Sequence, residues 1–400
     1  MSLVDILLTL AAVPVAAASA YLALLTLASR RAAPPVSRVP RLKFDLIVPA
    51  HNEEGGIATT VASMLALDYP RWLFRVLVVA DNCSDATATA AANAGGEVLV
   101  RNVPEVRGKG HALALAFDAR LADGFADVMV VVDADSVVSV NLLRALSARF
   151  EDGVNVAQVD YAVKNPEASW RTRLMRLAFA AIHTVRSLGR QRLGLSCGLR
   201  GNGMAFSART LRAVPYNAFS VVEDVEYGIT LGRAGVRIHY VPDAYVCGDM
   251  CQNEKNSRSQ RRRWEQGRAQ LARLHAKSLL AEAVRHGDRV RLDLGADLIL
   301  PPLAQVAAAV LAGSAACGVA VTIGARLAVA PWLWGSAAAG IALYVGRAWV
   351  LSGAGVRSLT DLIWVPVFVA WKLTLRFKPD PASTQEWVRT AREHSVGAAE

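Results

Sequence analysis

Residues 6–29 form an unbroken run of 24 residues without a charge. As a helix such a run is about 36 Å long, enough to cross a hydrocarbon core of about 30 Å. Residues 298–325 form a second uncharged run, and 327–346 a third after the lone Arg326. Trp332, Trp334, Tyr344 and Trp349 lie near the ends of the third run, where interfacial aromatics belong. The spacing predicts three membrane spans around a segment of ordinary composition. The runs account for a mean hydropathy of +0.29, high for a protein that also has a formal charge of +10. So apolar a chain is not disordered, and five scattered cysteines make no disulfide framework.

The first run is not read as a signal peptide. Asp5 stands where positive charge is expected, and the apolar run continues past Ala18-Ser19-Ala20. Arg30, Arg31, Arg38, Arg41 and Lys43 follow it with no acid among them. The positive-inside rule then puts the N-terminus outside and the large domain in the cytoplasm. After the second and third spans the basic C-terminal tail returns to the cytoplasm. The shorter apolar segment Leu362–Trp371 is expected to lie at the interface or re-enter. The expected plan is 1–43 span and linker, 44–292 cytoplasmic domain, 293–350 two spans, and 351–400 interfacial helix and tail. The cell membrane is the expected location.

Charge is unevenly distributed. Residues 44–160 hold 16 acids against 8 bases, whereas 171–200 hold seven arginines and no acid. Residues 252–292 hold 11 bases and four acids. Beside membrane runs, such stretches suit anionic lipid headgroups or an anionic ligand. Basic stretches with few aromatics between them argue against nucleic acid, which is not expected as a partner.

Leu46–Val48, Val76–Val79, Val98–Val100 and Val128–Val132 are β-branched-rich apolar runs. Helical patterns follow each, over about 56–67, 85–94, 108–122 and 140–150. Continuous hydrophobicity in the strands predicts an α/β fold with a mostly parallel sheet covered on both faces. Ligands of such sheets bind beyond the carboxyl ends of strands. There the chain places His51-Asn52-Glu53, Asp81-Asn82 and Asp133-Ala134-Asp135. The loop after the first strand lacks the glycines of a dinucleotide fingerprint. Arg107-Gly108-Lys109-Gly110 lacks the first glycine and the hydroxyl residue of a phosphate loop, though Lys109 at a helix start could hold an anion.

If the strand runs through them, Asp133 and Asp135 point to one side and can converge on a cation. Their hard oxygens suit Mg²⁺ or Mn²⁺. As bland alternatives, the aspartates form a turn and cap the next helix. Asp81 caps a turn or accepts a hydrogen bond from a base edge. Glu223-Asp224 opens a helix over 223–234, where acids favour the positive end, or supplies a general base in Asp224. Gln260, Arg263 and Trp264 share one helical face, a combination suited to a sugar ring and a diphosphate. Gly201-Asn202-Gly203 is a turn, or lets backbone approach a ligand.

Taken in order, these motifs resemble the family-2 membrane glycosyltransferases of GT-A fold, the group of cellulose, chitin and hyaluronan synthases. The resemblance covers about 44–275: the Pro-x-x-Asn-Glu loop with Glu53, the single Asp81, the pair Asp133 and Asp135, Glu223-Asp224, and Gln260-Arg261-Arg262-Arg263-Trp264. It implies a UDP-sugar donor whose uracil meets Asp81, and a divalent metal on Asp133 and Asp135. It implies Asp224 as base, with Glu223 beside it, and Gln260, Arg263 and Trp264 around the pyrophosphate and acceptor. Glu53 and Lys109 join the nucleotide-sugar set. Val222 departs from the threonine common before the acidic pair. Fewer spans than in the large synthases mean that secretion of a polymer would need a homo-oligomer or export partner. The expected activity is inverting transfer to a polysaccharide or lipid-linked acceptor. The alternatives are a single addition to a polyprenyl-phosphate or other lipid carrier, and a non-catalytic membrane scaffold.

Overall fold

The computed structural model describes residues 2–35, 39–250 and 254–361, with the side chains of 254–262 and Leu359 left aside. Leu362–Trp371 and the basic tail therefore lie outside the described residues.

In chain order the elements are α1 (Leu3–Ala28), β1 (Phe44–Ala50), α2 (Ile57–Leu65), β2 (Phe74–Asp81), α3 (Thr87–Asn93), β3 (Glu97–Arg101), α4 (Lys109–Asp123), β4 (Val128–Val131), β5 (Ser136–Val138), α5 (Leu142–Glu151) and β6 (Val156–Val163). There follow α6 (Trp170–Phe179), a π-helical turn Ala180–Val185, α7 (Arg186–Arg192), β7 (Met204–Ser207), α8 (Ala208–Ala213), α9 (Glu223–Arg233), β8 (Ile238–Gly248), α10 (Glu254–His286), α11 (Arg289–Ile299), α12 (Leu303–Thr322) and α13 (Ala330–Ser352). They divide into two compact units.

Among the described residues, one unit gathers residues 2–30, Arg176–Leu193 and residues 299–361. Among the described residues α1 and α12 are long and apolar enough to cross a membrane. The third run folds as α13, 23 residues long, but its Trp, Gly and Arg347 content leaves it short of the same criterion. Asp5 is wholly buried because its carboxylate caps α13, accepting the Val329 and Ala330 N–H groups at 3.2 and 3.1 Å. Gly340 permits the close approach of α1 and α13: a Cβ there would stand 2.6 Å from Ser19 Oγ. Arg176–Leu193 belongs here and not with the catalytic segment in which sequence reading placed it, because Leu177, Ala180, Ala181 and Val185 pack with Leu22, Tyr344 and Ala348. Its Arg186 and Arg190 are buried, so they form no basic surface for headgroups. Arg190 donates to Tyr21 Oη at 2.6 Å.

The other unit holds one eight-stranded sheet in the order β3-β2-β1-β4-β7-β6-β8-β5. The β1–β2, β1–β4 and β2–β3 pairs are parallel, as their unbroken apolar runs predict. The sheet as a whole is mixed, since β7 is antiparallel to both β4 and β6, and β5 to β8. Every residue of β1 is buried, and Leu46, Val48, Val76, Val78, Val128 and Val130 share one core with α2 and α5.

Candidate active site

The polar residues after the parallel strands all lie at one edge of the sheet, and their backbone geometry shows why. At the end of β1, Asn52 adopts φ 56° and accepts the Ser84 N–H on its side chain at 2.7 Å. This ties the β1 loop to the β2 loop. The Glu53 carbonyl receives the first N–H of α2, and its own N–H donates to Thr87 Oγ1. Asp85, one residue before the N-cap Ala86, accepts the Thr87 N–H at 3.0 Å at the start of α3, a bond in which Asp81 takes no part.

Asp81, the last residue of β2, is wholly buried and stands in register with Arg101 of β3. Its Oδ1 accepts from Arg101 Nη1 at 2.6 Å and from Asn82 Nδ2 at 3.0 Å. Its Oδ2 is buried and meets no donor among the described residues. A buried acceptor without a partner costs about 1–3 kcal/mol, so it is a place for a ligand's N–H.

Asp133 and Asp135 correct one expectation. β4 stops at Val131, and the Ser136 N–H returns to the Asp133 carbonyl at 3.1 Å, so the pair flanks a turn and does not lie along a strand. The turn is held by buried Asn202. Asn202 Oδ1 accepts the Asp133 N–H at 3.1 Å, and its Nδ2 donates to Ser136 Oγ at 2.8 Å. Gly201 and Gly203, at φ 77° and 72°, bend the chain to present it. At Gly203 a Cβ would come within 2.4 Å of Val159 Cγ2, so the turn is packed against β6 as well.

Lys109 begins α4 and joins the pieces. Its ammonium donates to Asp133 Oδ1 at 2.6 Å and to the Gly201 carbonyl at 2.7 Å, and it lies 3.5 Å from Glu223 Oε1. A Cβ on Gly201 would stand 3.5 Å from Lys109 Nζ and 3.7 Å from Asp224 Oδ2. One cation carried by α4 thus serves residues from the β4 turn, the Gly201 turn and α9. Burial disfavours the ammonium, but Asp133 and Glu223 outweigh it and hold its pKa above the ordinary lysine value. Glu223 and Asp224 open α9, and burial pushes both carboxyls up; Lys109 pulls both back, and the Asp224 charge raises Glu223 further.

The loop before α9 is fixed by Glu226, whose Oε2 accepts the Phe219 and Ser220 N–H groups at 3.1 and 2.9 Å. It presses on α4, where a Cβ on Gly110 would meet the Ala218 carbonyl at 2.1 Å. His111 stacks on Phe219 with centroids 4.3 Å apart. The Tyr216 hydroxyl is buried near the acidic pair and meets no partner among the described residues.

α10 packs on the residue before the acidic pair, with Gly267 against Val222. Trp264, one turn earlier, is 39% exposed, and Arg263 is partly buried. The Gln260 side chain is outside the described residues. Sequence reading missed Arg101, which only strand pairing sets opposite Asp81, and the part Asn202 plays, whose one sequence signal was its flanking glycines.

The chain matches the family described as Glycosyltransferase like family 2 over residues 40–267. It is 28% identical over 251 residues to an N-acetylglucosaminyltransferase of Rhizobium meliloti (strain 1021), covering 58% of this chain and 57% of that one. It is 28% identical over 214 residues to a beta-monoglucosyldiacylglycerol synthase of Synechocystis sp., covering 50% of this chain and 43% of that one. The chain thus spans about half the length of these curated relatives. Among solved structures, the mannosyltransferase PcManGT from Pyrobaculum calidifontis, in complex with GDP-Man and Mn²⁺, superposes with a TM-score of 0.55 at 20% identity. The match covers 91% of this chain and 99% of that one, a likeness of fold. With its family match spanning more than half its length, the chain belongs to the family 2 glycosyltransferases.

Proposed function

We propose that the chain is a membrane-anchored inverting transferase that moves a sugar from a UDP-sugar to a glycan or lipid-linked acceptor. The observation that carries this reading is the meeting of Asp133, Gly201 and Glu223 at the Lys109 ammonium, with Asp224 beside them. Residues 44–292, apart from Arg176–Leu193, supply the catalytic machinery on the cytoplasmic side, and the apolar helices keep it at the cell membrane.

Asp133 and Asp135 fit Mg²⁺ or Mn²⁺ by the chemistry of their oxygens and by a turn that separates them by one residue. Among the described residues no cluster of three metal-ligating side chains exists, so phosphate oxygens and water would complete the shell, as these ions favour. When bound, the ion neutralises charge on the departing diphosphate. Asp81 receives the base at Oδ2, and Glu53 shapes the loop that closes that end. Asp224 accepts the proton of the acceptor hydroxyl as its oxygen attacks the anomeric carbon. The bond from that carbon to the diphosphate oxygen breaks, and the electron pair leaves with UDP. Lys109, Arg263 and Gln260 serve the diphosphate, Glu223 shares charge with Asp224, and Trp264 offers an indole face to a sugar.

Membranes containing the full chain, given labelled UDP-sugars with Mn²⁺ or Mg²⁺, test the reading. Transfer that disappears in Asp133→Asn and Asp135→Asn supports it. Full activity in both variants removes the metal assignment, and no turnover of any UDP-sugar leaves the scaffold alternative. A discrete product soluble in organic solvent identifies a lipid carrier; a polymer identifies a synthase, with export through an oligomer or partner.

A further inference from the structure

We propose that Arg101 and Asn82 set the base selectivity of the donor site, admitting uracil and rejecting guanine. The inference rests on the reading of Asp81 as the residue that meets the donor's base. The fold does not decide which base that is.

A carboxylate alone offers two oxygens and suits a base that presents two adjacent N–H donors. Guanine does so through N1 and its exocyclic amine. Asp81 offers only one. Both available positions on Oδ1 are taken, one by Arg101 Nη1 at 2.6 Å and the other by Asn82 Nδ2 at 3.0 Å. The Asn82 amide cannot turn to release it, because its Oδ1 accepts the Val103 N–H at 2.8 Å. Asn82 N–H also donates to the Arg101 carbonyl at 2.7 Å, which fixes the two residues against each other. Oδ2 remains as a single buried acceptor without a donor among the described residues.

The result is one open acceptor, Oδ2, on a carboxylate whose other oxygen is filled by a guanidinium and a carboxamide. Uracil presents a single N3–H on its pairing edge, which one open acceptor satisfies. Guanine would bring its second donor against donors already in place. Cytosine would set its N3 lone pair against a carboxylate oxygen. Because a site built to satisfy specific polar groups leaves the wrong partner's groups buried and unmatched, discrimination here is strong. Asp81 is wholly buried. The exposed loop 102–107 is fastened to Arg101 through the Val106 carbonyl at 2.8 Å, which holds the guanidinium in place.

Calorimetric titration of the full-length protein with UDP and with GDP, at one Mn²⁺ concentration, isolates the base because the diphosphate is common to both. The wild-type protein is expected to bind UDP at least about tenfold more tightly. Arg101→Leu frees one of the two positions on Oδ1, so the ratio falls about tenfold or more, through a gain for GDP as well as a loss for UDP. Arg101→Lys, which keeps a cationic donor there, retains a preference for UDP. If Arg101→Leu does not melt cooperatively, Asn82→Ala carries the same test with a smaller fall in the ratio. Equal or tighter GDP binding by the wild-type protein overturns the proposal, as does a wild-type ratio in a folded Arg101→Leu or Asn82→Ala protein. Binding of neither nucleotide overturns the donor-site reading beneath it, and this proposal with it.

Discussion

Buried carboxylates occur at both ends of the parallel strands, and their company differs. At the start of β1, Asp45 receives both arms of Arg75, at 2.9 and 3.0 Å, with Arg120 at 3.9 Å. The two arginines also engage Asp123, and Arg120 reaches Glu97. Burial pushes Asp45 up, and the Arg75 hydrogen bonds oppose it. At the other end, Asp133, Glu223 and Asp224 gather around one ammonium. The first cluster is an ion-pair network that joins strands. The second stays under-compensated although the Arg200 charge also acts on Asp224, and such a cluster holds together best when another cation or a proton enters. What separates the two ends is direct pairing: guanidinium groups bond every acid of the first cluster, whereas in the second the ammonium bonds Asp133 and only lies near Glu223.

The largest effect should come from the under-compensated end. Asp224→Asn is expected to lower sugar transfer on the order of 10²- to 10⁴-fold while leaving the melting temperature unchanged or higher, since it removes a buried charge from a crowded set. A melting temperature that falls sharply would place Asp224 with the scaffold.

Next in size, Lys109→Met leaves Asp133, Glu223 and Asp224 without their shared cation and should cost about 3–5 kcal/mol in urea unfolding. The folded Glu223 and Asp224 carboxyls have raised pKa values, so their protonation favours the folded state. The deficit should therefore shrink as pH falls through those raised values and be largest above them. A deficit that grows on acidification contradicts the assigned geometry.

Arg75→Leu breaks the other cluster. It should cost about 3 kcal/mol, read by the same unfolding, with kcat per folded molecule unchanged. A specific loss of kcat would show that the two ends are not separable.

The pH profile offers a finer test. Because burial raises Glu223 and Asp224, the acid limb of kcat should lie above the ordinary carboxylate range of about 3.9–4.3, and it belongs to the pair and not to either residue. An acid limb at or below that range would remove the pair from the base role. Smallest of all, Arg144→Ala breaks the exposed pair with Asp68, and no shift in melting temperature is expected.

Where sequence reading succeeded, the signal was local. The runs 6–29 and 298–325 became α1 and α12, and β1 to β4 followed their apolar segments to within a few residues, because strand and helix period is written in consecutive side chains. Carboxylates directly after strands ended at one sheet edge because parallel strands share a direction. The reading that Asp133 and Asp135 lie along a strand failed because β4 ends at Val131, before either aspartate, since strand ends depend on the partner strand. The short strand read after Gly203 is β7, but its antiparallel pairing escaped notice for the same reason.

By itself, then, the sequence determined the apolar helices, the parallel core and which acids stand at strand ends. Only the tertiary structure set Arg101 against Asp81, drew Arg186 and Arg190 into an apolar unit, and carried Lys109 to the Gly201 carbonyl 92 residues away. Those placements depend on which strands pair and which loops meet. Chain entropy opposes each such distant contact, and the packing of the whole core supplies the free energy that makes it.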